Sequence, residues 1–223
     1  MCGRFAFHSP REAVLAAFGV QFPFELEPRY NIAPSQQLAA IRRAASGAAE
    51  GVSLRWGLVP FWAREPGIGN RLVNARAETL AAKPAFRNAL RRRRCVILAN
   101  GFYEWRSAGK GPKTPCYIAP PDGRPIAFAG LWERWEKGAA PLETCTIITT
   151  DANRSLRAIH DRMPVILAPD ALRLWLDPAQ PPESLATLLV PAPEDLLASH
   201  EVSRAVNSPA HEGPELIRPL EAG

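Results

Sequence analysis

Lysine is scarce in this chain: four residues against 23 arginines among 223. Cysteine is scarce too. The four, at positions 2, 95, 116 and 145, form no CxxC pair and have no histidine at metal-ligand spacing. That pattern argues against a structural zinc site and against a disulfide framework. No apolar run approaches the roughly 20 residues needed to cross a bilayer, and the N-terminus lacks the apolar core of a secretion signal. A soluble cytoplasmic protein is therefore expected. Internal repeats, low-complexity linkers and a regular βαβ alternation are absent as well, which excludes solenoids and doubly wound sheets.

What is present is an ordinary globular composition, 47% hydrophobic and 22% charged, with a net charge of +5. The arginine excess fits both a GC-rich coding bias and recognition of phosphates by planar guanidinium forks. Ser9-Pro10-Arg11-Glu12 has the form of a capping box opening a helix that Gly19 ends. Strand patterns follow at 38–41 and 52–58, then at 95–100, 102–106, 116–119, 125–131 and 144–150. A turn is expected at Ala108-Gly109-Lys110-Gly111. Short helices are expected at 83–93, 153–159, 170–176, 182–189 and 194–199, with strands at 165–167 and 201–206. The long loop 60–73 carries Pro60, Pro66, Gly67 and Gly69, and loops of that length are often functional. Many strands with short helices predict an α+β fold: a mostly antiparallel sheet or open-barrel core with short peripheral helices. One domain, 1–223, is expected, with a weaker edge after about residue 208.

The chemistry starts at residue 2. If Met1 is removed, Cys2 bears an α-amine and a thiol on adjacent carbons. With ordinary pKa values of about 7.7–8.0 and 8.5, both are partly reactive at neutral pH. Such a pair serves acyl transfer, or it condenses with an aldehyde to a thiazolidine. Glu104, in Gly101-Phe102-Tyr103-Glu104-Trp105, shares a strand face with Phe102 and is placed for partial desolvation, which suits acid–base work. His160 has a proton-transfer pKa, and Asn74 can orient a substrate hydroxyl. Arg4, Arg76 and Arg162 stand close in sequence to these groups. Trp56, Trp62, Trp105 and Trp132 suit base stacking or core packing. The run Arg91 to Arg94 suits either a solvated helix end or a DNA contact.

Met1-Cys2-Gly3-Arg4-Phe5, Arg29-Tyr30-Asn31-Ile32-Ala33-Pro34, Trp56-Gly57-Leu58-Val59-Pro60-Phe61-Trp62, Asn74-Ala75-Arg76-Ala77-Glu78-Thr79, Gly101-Phe102-Tyr103-Glu104-Trp105, Ala129-Gly130-Leu131-Trp132, Ile159-His160-Asp161-Arg162-Met163-Pro164 and Val202-Ser203-Arg204-Ala205-Val206-Asn207 together resemble the SRAP (SOS response-associated peptidase) family. They stand in the family's order along nearly the whole chain. Leu98 departs from the family, many of whose members have proline there.

The resemblance implies capture of abasic sites in single-stranded DNA by a covalent link through a processed N-terminal cysteine. Cys2 would form the crosslink. Asn74 and Glu104 would hold and protonate the sugar, and His160 would assist ring opening. Arg4, Arg76 and Arg162 would grip phosphates, with Trp105 packed beside the flipped-out site. An autopeptidase role in removing Met1 is also implied. No metal or other cofactor is needed, and a monomer without membrane attachment is expected. Two other readings start from the same residues. One is an N-terminal-cysteine glutamine amidotransferase-like hydrolase with Asn100-Gly101 as its oxyanion pair; the other is a non-covalent single-strand-binding module with an idle Cys2.

Overall fold

The computed structural model describes residues 2–107, 109 and 111–220. Met1, Ala108 and Lys110 lie outside the described residues, so the removal of Met1 and the full turn expected at Ala108–Gly111 do too. Two sheets are formed by twelve strands: β1 Phe5–Phe7, β2 Arg29–Ile32, β3 Gln37–Arg43, β4 Ala49–Trp56, β5 Asn74–Arg76, β6 Arg94–Ala99, β7 Gly101–Arg106, β8 Thr114–Ala119, β9 Ile126–Trp135, β10 Leu142–Asp151, β11 Arg162–Pro164 and β12 Ala198–Glu201. The helices are short: α1 Arg11–Phe18, α2 Arg87–Arg92, α3 Pro169–Leu176 and α4 Pro182–Leu185.

Strands β4, β3, β6, β9 and β10 close into a barrel, because β10 pairs antiparallel with β9 and parallel with β4. The closing contact is brief, Thr144 opposite Arg55 and Cys145 opposite Trp56. The second sheet runs β12-β8-β7-β1-β2. Its inner face carries Phe5 and Phe102, which stack edge-on against Phe128 of the barrel. Its outer face forms a separate small core of Ala6, Tyr103, Tyr117, Val202, Val206 and Leu216. Strand alternation thus assigns neighbouring residues of β7 to two different cores, as the period of two requires. Cys95 and Cys145 are wholly buried in the barrel as small apolar side chains.

Several local expectations are corrected. Ser9 does not cap α1: its hydroxyl accepts from Asn100 Nδ2, and Pro10 takes the cap position without a side-chain bond. Gly19 does end the helix, at φ 67°, donating its N–H to Leu15. Residues 153–159 form successive turns rather than a helix. The strand expected at 165–167 ends earlier, at Pro164, leaving Ile166 a single bridge to Phe128. At 194–199 no helix forms. Instead Ala198–Glu201 adds to the edge of β8, with His200 opposite Tyr117. The strand expected at 201–206 is replaced by a 3-10 turn at Arg204–Asn207. At the first of these places the open edge of β8 overrides local propensity; at the second, Ser203 caps the turn by accepting Ala205 N–H. No described helix is long and apolar enough to cross a membrane.

Candidate active site at the N-terminal cysteine

Cys2 lies just before β1, which is paired on one side with β7 and on the other with β2. Tyr103 N–H donates to Arg4 O at 2.9 Å, continuing the ladder toward the chain start and bringing Glu104 alongside it. Cys2 is fully buried, and its Sγ lies 3.9 Å from Arg4 O. Burial, reinforced by the negative charge of Glu104, pushes the thiol well above its ordinary pKa.

Glu104 is 3% exposed, and desolvation pushes its carboxyl up to about 7. The aromatic flanks and strand alternation foretold this burial. Across from it, His160 Nε2 lies 3.8 Å from Glu104 Oε2. His160 follows the turns anchored by Asn153, whose Oδ1 accepts Leu156 N–H and whose Nδ2 donates to Ala192 O. Burial holds the imidazole below its usual pKa, so it is neutral at pH 7. Its Nδ1 lies 3.0 Å from the Arg162 backbone N–H and 2.8 Å from Asp161 Oδ1. One tautomer cannot serve both. The Asp161 carboxylate is 86% exposed and free to turn to water, whereas the backbone donor is fixed. Nδ1 is therefore the acceptor, and the ring proton sits on Nε2, facing Glu104.

Asn74 arrives from β5, which lies parallel to β10 with Asn74 opposite Ile147. Alternation sends Ala75 into the core and leaves Asn74 and Arg76 on the other face. Asn74 Nδ2 donates to Cys2 O at 2.7 Å, fixing residue 2. Its Oδ1 is buried without a hydrogen-bond partner among the described residues. A buried acceptor left open in this way suits a donor arriving with a ligand.

The arginines divide. Arg76 is exposed beside Asn74. Arg162 is 8% exposed: Nη1 contacts Glu78 at 2.9 Å and Asp151 at 2.7 Å, and Nη2 contacts Glu78 at 3.0 Å and Thr149 O at 2.7 Å. Those acidic partners occupy the fork that a phosphate would need. Arg4 Nη1 likewise donates inward, to Asn31 Oδ1 and Val206 O, both at 2.7 Å. Trp105 is half-buried, with its indole N–H on Asn207 Oδ1 at 2.8 Å.

The remaining candidates fall away from this cluster. Trp56 is fully buried and donates to Val73 O, and Trp132 lies under the Arg42 guanidinium at 4.1 Å. Trp62 is 43% exposed on the long loop. Arg94 is buried, donating to the Leu90 and Trp175 carbonyls, and Arg93 pairs with buried Glu133 at 2.8 Å. Half of the arginine run is thus structural. Asn100 sits at the far end of β7 from Glu104. Its Oδ1 accepts His8 and Ser9 N–H, and its Nδ2 donates to Ser9 Oγ and Gly123 O. With every side-chain group committed, it offers no oxyanion pair to an amidotransferase. Among the described residues no group of three or more His, Cys, Asp or Glu could hold a metal ion.

Sequence reasoning passed over Asn31 and Asn207 as individuals, although both lie within quoted motifs. Their signal is that buried or aromatic-facing asparagines need partners for four hydrogen-bonding positions.

Fold and site together define a β-rich protein in which Cys2 is held by the Asn74 amide and lies beside the Glu104 carboxyl, which faces the His160 imidazole, the three groups coming from distant segments. The chain belongs to the SOS response associated peptidase (SRAP) family, whose profile matches residues 1–209. It is 45% identical over 222 residues to the abasic site processing protein YoaM of Bacillus subtilis (strain 168), covering 97% of each chain. It is 34% identical to the abasic site processing protein YedK of Escherichia coli (strain K12), covering 99% of this chain and 100% of that one. A crystal structure of a protein from Bacteroides thetaiotaomicron matches with a TM-score of 0.88 at 27% identity, over 98% of this chain and 100% of that one.

Proposed function

We propose that this chain captures abasic sites in single-stranded DNA by forming a thiazolidine between Cys2 and the ring-opened deoxyribose. The observation that carries the reading is the convergence of Asn74, Glu104 and His160 on residue 2. Processing of abasic sites is the activity named for its relatives.

The reactive form requires hydrolysis of the Met1–Cys2 peptide bond, which consumes one water and frees the Cys2 amine. An abasic deoxyribose is mostly a closed hemiacetal, so its C1′ becomes an aldehyde only when a proton reaches the ring oxygen. His160, with its proton on Nε2, and Glu104 are the groups placed to move it. The amine then adds to C1′. Protonated Glu104 supplies the proton with which the carbinolamine hydroxyl leaves as water, and the resulting iminium returns its N–H proton to the Glu104 carboxylate to give an imine. The thiol adds its sulfur to the imine carbon, and its proton passes to the nitrogen. The sum is aldehyde plus aminothiol giving thiazolidine plus water, with no oxidant or metal.

The raised thiol pKa is compatible with this order, since sulfur is needed only after the imine exists. Closing the ring removes an electrophile that would otherwise promote β-elimination and strand cleavage. Single-stranded DNA suits a buried site, because no partner base must be unpaired. In this scheme Arg76 meets phosphate, and Trp105 flanks the sugar. Arg4 and Arg162, whose donors point inward, hold the site's walls.

The test is a denaturing gel of the protein with a uracil-excised oligonucleotide, followed by intact mass. A shifted band that survives denaturant, and a conjugate mass equal to the sum of the reactants less one water, are expected. A shift seen only under native conditions would favour the non-covalent binding module instead.

A further inference from the structure

We propose that Asn31 is a positioning residue for Cys2, acting through Arg4 and the segment 206–211; this rests on the crosslinking reaction argued above. Asn31 stands on β2 and is fully buried. Its Oδ1 accepts Arg4 Nη1 at 2.7 Å, and its Nδ2 donates to Ser208 O at 2.9 Å and His211 O at 2.8 Å. Arg4 Nη1 reaches the same segment at Val206 O, 2.7 Å away. One amide therefore ties the residue two positions after Cys2 to a piece of chain more than 170 residues further on.

The arrangement does more than close a loop. Arg4 O receives Tyr103 N–H, and it is also the hydrogen-bond acceptor of the Cys2 thiol at 3.9 Å. The Arg4 backbone is thus where β1, β7 and the reactive residue meet. Arg4 Nε is buried without a hydrogen-bond partner among the described residues. The side chain is therefore held by its Nη1 contacts, and Asn31 is the side-chain acceptor that fixes it. The same segment supplies Asn207 to the Trp105 indole, so the next residue after Glu104 is held from the same side. Loss of Asn31 frees Arg4 from β2 and leaves Val206 O as its link to the C-terminal segment, which itself loses the Asn31 bonds at Ser208 and His211. The start of β1 then shifts against Glu104, and small displacements of reacting groups cost rate steeply.

The experiment measures single-turnover crosslinking of the full chain to an abasic oligonucleotide across DNA concentrations, for the parent, Asn31→Ala, Arg4→Lys and the double variant. Expected is a fall of about 10-fold or more in the saturating rate constant for Asn31→Ala, with the half-saturating DNA concentration and the final crosslinked fraction unchanged. Arg4→Lys should give a similar fall, and the double variant should add little, because the two side chains act as one unit. A merely structural role would lower the final fraction and leave the rate constant of the folded remainder alone. A phosphate-contacting Arg4 would raise the half-saturating concentration and flatten its salt dependence. Either pattern overturns the proposal. Should Asn31→Ala fail to fold, Arg4→Lys with the same readouts decides it. A parent protein that forms no adduct would instead sink the crosslinking reading itself, before any variant is compared.

Discussion

His160 Nε2 faces Glu104 Oε2 across 3.8 Å, joining a residue from the turns before β11 to one from the middle of β7. The pair combines a neutral imidazole with a carboxyl raised to about 7 by burial. Near neutral pH the carboxyl can therefore either give or take a proton, which is what a reaction with both an opening and a dehydration step requires.

Replacing Cys2 with alanine should abolish the denaturant-resistant adduct while leaving non-covalent affinity within about two-fold. Gel electrophoresis under denaturing conditions, beside fluorescence anisotropy under native ones, separates the two. A persistent adduct would mean another nucleophile.

Glu104→Gln should slow crosslinking by about 100-fold, the usual weight of a positioned acid–base group. In the parent the rate should fall on an alkaline limb near pH 7, where Glu104 loses its proton. The variant's pH profile should lack it. A retained limb would assign the titration to another group.

The same carboxyl makes a stability prediction. Its folded pKa is raised from 4.5 to about 7, so the folded state keeps a proton that the unfolded chain has lost. Stability from this group is fully present below about pH 4.5 and declines as pH climbs to about 7. Thermal melts of the parent should show a decline across that window that Glu104→Gln reduces.

Arg162→Met should destabilise by about 2 kcal/mol, because a buried guanidinium serving Glu78, Asp151 and Thr149 O is lost. For a chain of this size that is a drop of about 4–8 °C in Tm. Exposed Arg76→Ala should leave Tm unchanged, weaken DNA binding and reduce the salt slope by about one counterion. Should the two variants exchange these signatures, the division between bracing and phosphate-contacting arginines would be reversed.

Gly57 and Gly69 seat the long loop. Gly57 has φ 123°, and a Cβ on Gly69 would lie 2.5 Å from Gly57 O. Gly69→Ala should therefore cost about 1–3 kcal/mol by lifting the loop from the end of β4, measured by denaturant unfolding. A neutral effect would show that the loop yields freely.

Much of the two sheets was legible from short apolar runs bounded by turn residues. The strand readings around 38–41, 52–58, 95–100, 102–106, 125–131 and 144–150 overlap β3, β4, β6, β7, β9 and β10, and β6 is buried along its whole length rather than on one face. The burial of Glu104 was legible from its aromatic flanks and from the strand face it shares with Phe102. The C-terminal segment was not. Glu194 to Ser199 reads as a helix, yet Ala198–Glu201 pairs with β8. Glu194 instead accepts the Arg154 and Ser155 N–H groups across 40 residues of chain. Those competitors are invisible to any local window.

The sequence by itself determined which chemical groups are available: an aminothiol precursor at the chain start, one carboxyl among aromatics, one histidine beside Asp161, and an arginine excess. Only the tertiary structure decided which of them meet and which are already committed. Arg4, Arg76 and Arg162 look alike in a string of letters. Two turn inward because buried carbonyls, an amide or carboxylates lie within reach of their forks, and the third faces water because alternation along β5 puts it there. Hydrogen-bond partners are assigned by folding, not by adjacency in the chain.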